Sequence, residues 1–177
     1  ENLCSVQIYW ARGGCGERKK PAPEVTELAP NDVVRGNGWQ VTTVGVSHFG
    51  PQLVSYGFRL DAPDGSFVYS GDSGPCASME RLAQNCDVLV HMCQYLSGTE
   101  LGPEFAQSCM GHLELARLAQ RASVRTVIIS HVTEQIDQPG VRERLVREMA
   151  EIYRGNIIFG EDRMQVPLQG PQAAKLM

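Results

Sequence analysis

The hydrophobic pattern of this chain changes period near residue 75, and that change limits the fold more than any other feature. Before it, β-branched and aromatic residues come in short runs broken by turn signals. Trp39–Ser47, Leu53–Leu60 and Ser66–Ser70 read as strands, with Pro63-Asp64-Gly65 as the turn joining the last two, so antiparallel pairing is expected. After it, Met79, Leu82 and Ala83 fall at helical spacing within Ala77–Ala83, for which Ser78 is the expected cap. Leu113–Arg121 and Pro139–Tyr153 carry the same period. Between and after these helices lie short strands at Asp87–His91, Arg125–Ser130, Asn156–Phe159 and Met164–Val166, while Leu96–Met110 reads as a long loop. A strand meander followed by helix–strand repeats predicts an α/β fold with a mixed β-sheet flanked by helices.

Residues 1–32 read as an N-terminal segment with a short strand at Val6–Trp10, a Gly- and Pro-rich linker over 12–23 and a turn at 29–32; residues 33–177 form the folded unit. Sixteen Lys and Arg against 20 Asp and Glu give a net charge of −4, which argues against a general nucleic-acid binder. The basic run Arg18-Lys19-Lys20 reads as a solvated turn. No apolar stretch approaches the roughly 18–20 residues that span a bilayer, so no membrane is expected. Six cysteines without a C-x-x-C pair suit reduced thiols and a cytoplasmic setting.

The four histidines are the chemically informative residues. His48, His91 and His131 each end an expected strand, Asp72 follows another, and His112 opens a helix after Gly111. Strand ends feeding loops are where α/β proteins gather reactive groups, and imidazole with carboxylate suits zinc, iron or manganese.

These segments carry a resemblance. Gly45-Val46-Ser47-His48, with Tyr56-Gly57-Phe58-Arg59, resembles a metal-binding motif of the metallo-β-lactamase-fold hydrolases. Val68–Cys76 is similar to the motif whose Asp bridges two metals, and Ile128–Val132 to the strand that ends in a metal-binding His. Gly111-His112 resembles the ribonuclease Z segment that holds a proton-donating His. Arylsulfatase-like members belong to the same branch. The matching stretch runs from about Val33 to Leu168, over three quarters of the chain.

The resemblance implies that the chain is the C-terminal half of an αββα sandwich. His48, Asp72 and His131 would bind a dinuclear metal site, zinc first and iron or manganese as alternatives. Asp72 and His112 would be catalytic, and Tyr56 and Arg59 would contact substrate. The family's His-x-His-x-Asp-His motif does not occur in this sequence. The implied partner is therefore an N-terminal half of the fold, lying before Glu1 or on another chain.

The function implied is metal-dependent hydrolysis of an ester, lactone or phosphodiester bond in a small molecule. One alternative is ribonuclease Z-type cleavage of tRNA at its 3′ side. Against it stand the 24 residues from His48 to Asp72, too few for a tRNA-gripping arm, and Met92 where that branch has Glu. Another alternative is a metal-free interaction module, because half a fold would expose an apolar sheet face and aggregate, form a homodimer or need a partner. Iron redox chemistry is a fourth reading.

Overall fold

The computed structural model describes residues 24–51 and 53–168 together with Gly13. The strand expected at Val6–Trp10 and most of the linker lie outside the described residues. Among the described residues seven strands form one sheet in sequence order: β1 (Val33–Gly36), β2 (Trp39–Val46), β3 (Ser55–Ala62), β4 (Gly65–Tyr69), β5 (Val88–Met92), β6 (Thr126–Ser130) and β7 (Asn156–Phe159). The first four pair antiparallel and the last four parallel, so the sheet is mixed, as the pattern predicts. Among the described residues the helices are α1 (Ala77–Leu82), α2 (Pro103–Ser108), α3 (His112–Arg121) and α4 (Val141–Ile152). No helix among the described residues is long and apolar enough to cross a membrane.

Parallel neighbours need a crossover, and here helices supply it. Val68, Leu89, Val127 and Ile129 from the sheet join Met79, Leu82, Leu115, Leu118, Leu145 and Met149 from α1, α3 and α4 in one buried cluster. Each such large apolar side chain contributes roughly 1.5–3 kcal/mol when removed from water. The opposite face is apolar too, because its strands continue in Val and Ile rather than alternating with polar residues. There Phe67, Val88, Val90 and Ile128 line a groove of about 380 Å³, closed on one side by Met164, Val166 and Leu168.

Several expectations are corrected. Strand β1 is absent from the sequence reading, although Asn37-Gly38 between Gly36 and Trp39 is a two-residue hairpin signal. Leu96–Met110 is not all loop, since α2 lies within it and starts at Pro103, where a missing N–H costs nothing. Ser78 does not cap α1: Cys76 occupies that position, and the Ser78 hydroxyl donates to the Gly45 carbonyl at 2.6 Å, pinning the helix to β2. Helix α4 begins at Val141 rather than Pro139, because Gly140 sits at φ 82° in the left-handed region. Met164–Val166 forms no strand and runs along the groove instead.

His91 is also not where a reactive strand-end residue would be. It is the fourth residue of β5, its side chain turned to the helix-covered face and fully buried. Nδ1–H donates to the Met92 carbonyl at 2.9 Å, and Nε2 is buried with no partner among the described residues. Burial holds its pKa down to about 4, against a weaker opposite pull from the Met92 carbonyl. The unfolded chain takes up this proton near pH 6.5, whereas the folded protein refuses it until about pH 4. Stability therefore falls as pH drops through that window, by roughly 3 kcal/mol from this group. Urea unfolding between pH 7 and pH 4 checks it: His91→Leu flattens this part of the profile, and a parallel slope in wild type and variant would refute the assignment.

Candidate metal centre

Strands β2, β4 and β6 point the same way, and the residues just past their ends meet. His48 follows β2, Asp72 follows β4 and His131 follows β6. The Asp72 carboxylate lies between the two rings: His48 Nε2 is 3.9 Å from Oδ2, and His131 Nε2 is 3.6 Å from Oδ1. Each oxygen thus faces a different imidazole. The His48 side chain is only 15% exposed, whereas Asp72 and His131 are about half open to solvent, at 48% and 58%.

The surroundings fix these groups from behind. His48 Nδ1 lies 2.7 Å from the Ser108 carbonyl at the end of α2. A carbonyl only accepts, so Nδ1 carries the proton and Nε2 is left as the donor atom facing Asp72. The Gln94 side-chain amide donates to the His131 carbonyl at 3.0 Å, and Thr133 Oγ1 donates to the Gln94 carbonyl at 3.0 Å. His131 itself is held at φ 47°, a left-handed conformation that non-glycine residues adopt at a cost of about 1–3 kcal/mol. The Asp72 turn is tied down by the Ser73 N–H, which points at Met92 Sδ at 2.8 Å, and by the Ser73 hydroxyl on the Gly74 carbonyl. Gly71 precedes it at φ 57°, where a Cβ would lie 2.5 Å from the Tyr56 carbonyl.

Other expected site residues lie elsewhere. Arg59 donates from Nε to the Asp61 carboxylate and from Nη1 to the Leu82 and Gln84 carbonyls. Its guanidinium therefore closes the carboxyl end of α1, and the structure does not bring it to Asp72. Tyr56 packs near Phe58, with ring centres 6.4 Å apart, next to the Asp72 turn through its backbone.

His112 is 1% exposed, and both of its ring nitrogens are bonded. Nδ1 accepts the Ser97 N–H at 2.9 Å, so Nε2 carries the proton and donates to Glu148 Oε2 at 2.7 Å. Glu148 stands on α4 and also accepts from Arg144; that contact first, and His112 second, hold its carboxyl below the usual range. Ser97 Oγ in turn donates to Glu114 Oε2 at 2.5 Å. This network clamps the 95–99 segment to α3 and α4. Neither Glu148 nor the Ser108 carbonyl was legible beforehand: one is 36 residues from its partner, and a backbone carbonyl has no sequence signature.

The donor set fits part of a metal centre. Two imidazole nitrogens flank a carboxylate, each oxygen facing a different ring, and nitrogen with carboxylate oxygen is a donor set that suits zinc or iron. Among the described residues no three or more His, Cys, Asp or Glu side chains are grouped to hold an ion by themselves. The trio is a row, not a cage, and a closed zinc site takes three or four ligands per ion.

The His112 network carries its own test. His112→Ala leaves the Ser97 N–H unpaired, takes one of the two partners of Glu148 and opens space in the packing, lowering unfolding free energy by roughly 2–3 kcal/mol. Glu148→Gln keeps an acceptor for Nε2–H and lowers stability far less, because the charge it removes is open to solvent. Denaturant midpoints check both, and equal losses would show that charge rather than the hydrogen-bond pair matters.

The chain is 28% identical over 163 residues to ribonuclease Z from Mycobacterium sp. (strain KMS), a match covering 85% of this chain and 57% of that protein. It thus spans little more than half the length of the curated relatives it matches. Among solved structures, the metallo-beta-lactamase fold protein YhfI from Bacillus subtilis superposes with a TM-score of 0.63 at 19% identity, over 76% of this chain and 52% of that one. CmlA, a diiron beta-hydroxylase from Streptomyces venezuelae, gives 0.57 at 11% identity, over 78% and 34%. The beta-lactamase superfamily domain matches residues 5–132 of this sequence, and the chain belongs to that family, with the metallo-β-lactamase fold and descent shared with hydrolases.

Proposed function

We propose that residues 33–177 form the C-terminal half of a metal-dependent hydrolase and supply one half of a dinuclear centre. The observation that carries the reading is the His48–Asp72–His131 row, with each carboxylate oxygen turned to a different imidazole. His48 would hold one ion, His131 the other, and Asp72 both. Zinc suits these donors, and the diiron description of CmlA keeps iron as the alternative. When bound, such ions lower the pKa of a shared water and polarise the bond to be cut. The chain's own residues then orient: Ser108 holds the His48 ring, Gln94 the His131 backbone, and Met92 the Asp72 turn. The remaining ligands come from the other half of the fold, which we assign to the partner role.

The bond cleaved is an ester, lactone or phosphodiester, and the substrate a small molecule. His112 as general acid would require its Nε2–H to leave Glu148 for the leaving group, because Nδ1 is occupied by the Ser97 N–H. A tRNA 3′-processing nuclease is the second reading, favoured by the similarity to ribonuclease Z. Between His48 and Asp72, however, the 24-residue span holds β3, a two-residue turn, β4 and only short connections to them, too little chain for an arm at that point.

Metal analysis of the full-length protein should give about two ions per chain. Asp72→Ala should lose more than ~100-fold in hydrolysis, beyond the 10–100-fold that follows loss of a supporting contact. Absence of bound metal, or full turnover in Asp72→Ala, would end the proposal. Cleavage of a precursor tRNA with steeply salt-dependent binding, against no turnover of small esters, would move the assignment to the nuclease.

A further inference from the structure

The end of α2 touches the row of metal-binding candidates in a way that goes beyond walling a pocket. The last carbonyls of a helix have no intrahelical partner, and two of them are used here. The Ser47 hydroxyl donates to the Gln107 carbonyl at 3.0 Å, and His48 Nδ1–H donates to the Ser108 carbonyl at 2.7 Å. The same helix end is pressed against the Asp72 turn. A Cβ built on Gly74 would lie 2.1 Å from the Gln107 oxygen, 2.6 Å from its carbon and 2.9 Å from the Ser108 carbonyl carbon. No side chain fits there without moving backbone. Gly74 N–H closes the circuit by donating to the Ser47 carbonyl at 2.7 Å. Cys109, which ends α2, is buried with its thiol pushed up by burial and, to a smaller degree, by the Asp72 charge, so this helix end and the carboxylate share one electrostatic neighbourhood.

We propose that Gly74 is a positioning residue: by admitting the end of α2 it places the Ser108 carbonyl on His48 Nδ1 and so fixes the tautomer that offers Nε2 to a metal. An imidazole without that acceptor exchanges its proton between the two nitrogens and presents the donor atom only part of the time. A ring partner of this kind is worth about 10–100-fold in metal affinity. The ligand part of the proposal rests on the dinuclear reading above, whereas the tautomer does not.

The test uses the full-length protein stripped of metal by a chelator. Long-range proton–nitrogen NMR of the histidine rings should find His48 protonated at Nδ1 and bare at Nε2, before any metal is added. In Gly74→Ala the His48 signals should shift toward a mixture of tautomers, and Zn²⁺ titration should show 10–100-fold weaker uptake with the signals of His112 unchanged. Ser47→Ala, which removes only the Gln107 tether, should fold as wild type does and show the same changes at several-fold size, so the comparison survives a Gly74→Ala protein that fails to fold. A wild-type His48 protonated at Nε2 overturns the proposal whatever the metal content. So does a Gly74→Ala protein with unaltered tautomer and unaltered Zn²⁺ affinity. Wild type with the expected tautomer but no uptake of Zn²⁺, Mn²⁺ or Fe²⁺ overturns the dinuclear reading instead, and leaves Gly74 as the residue that sets the His48 ring.

Discussion

Everything at the candidate site depends on one constraint, the common direction of alternate strands. Strand β2 runs antiparallel to β3, and β3 to β4, after which β4, β5 and β6 run parallel. Strands β2, β4 and β6 therefore end at the same edge of the sheet. Neighbouring strands are about 4.8 Å apart, so the end of β4 stands roughly 10 Å from that of β2 on one side and that of β6 on the other. That spacing is what two imidazoles and one central carboxylate bridge by leaning inward. Had β4 and β5 paired antiparallel, Asp72 and His131 would sit at opposite edges. The parallel pairing is affordable only because α1, α3 and α4 cover one face with a continuous apolar cluster.

The turns after those strands hold the strain that such an edge requires. Phe49, Gly71 and His131 all adopt positive φ, of 42°, 57° and 47°. Each strand must break abruptly to leave its last side chain beside Asp72 instead of carrying it onward. The surrounding hydrogen bonds over-determine these turns: Ser47 and His48 on the end of α2, Ser73 on Met92, Gln94 on the His131 carbonyl. Met92 is instructive here, because where the ribonuclease Z branch places a carboxylate this chain has a thioether facing a backbone N–H. The role left at that position is to steady the Asp72 turn, not to pass a proton.

Much of this was visible without coordinates, for a physical reason. Strand and helix periods of two and 3.6 residues are local properties, so the β2–β4 meander and helices α3 and α4 were legible within a residue or two. Strand-end positions are local as well, which singled out His48, Asp72 and His131. The misses arise where a local signal is ambiguous or overruled. His91 has the same strand-end setting as His131, but it faces the helix side, where burial forbids its charged form. Arg59 lies in a motif that suggests substrate contact, yet the free carbonyls of α1 compete for its guanidinium and hold it. Ser78 has the chemistry of a cap but stands two residues past the Cys76 cap position, where the Gly45 carbonyl takes its hydroxyl.

By itself, then, the amino-acid sequence determined the type and order of most elements and the residue types able to bind metal, because both depend on neighbours within a few positions. Only the tertiary structure decided which of those residues meet. His48 and Asp72 are separated by 24 positions, and Asp72 and His131 by 59, and only strand direction makes them adjacent. Only the tertiary structure, likewise, gave His112 to Glu148 and His48 to the Ser108 carbonyl. A hydrogen bond of under 3 Å between elements far apart in the chain is fixed by packing, and no spacing in the sequence encodes it.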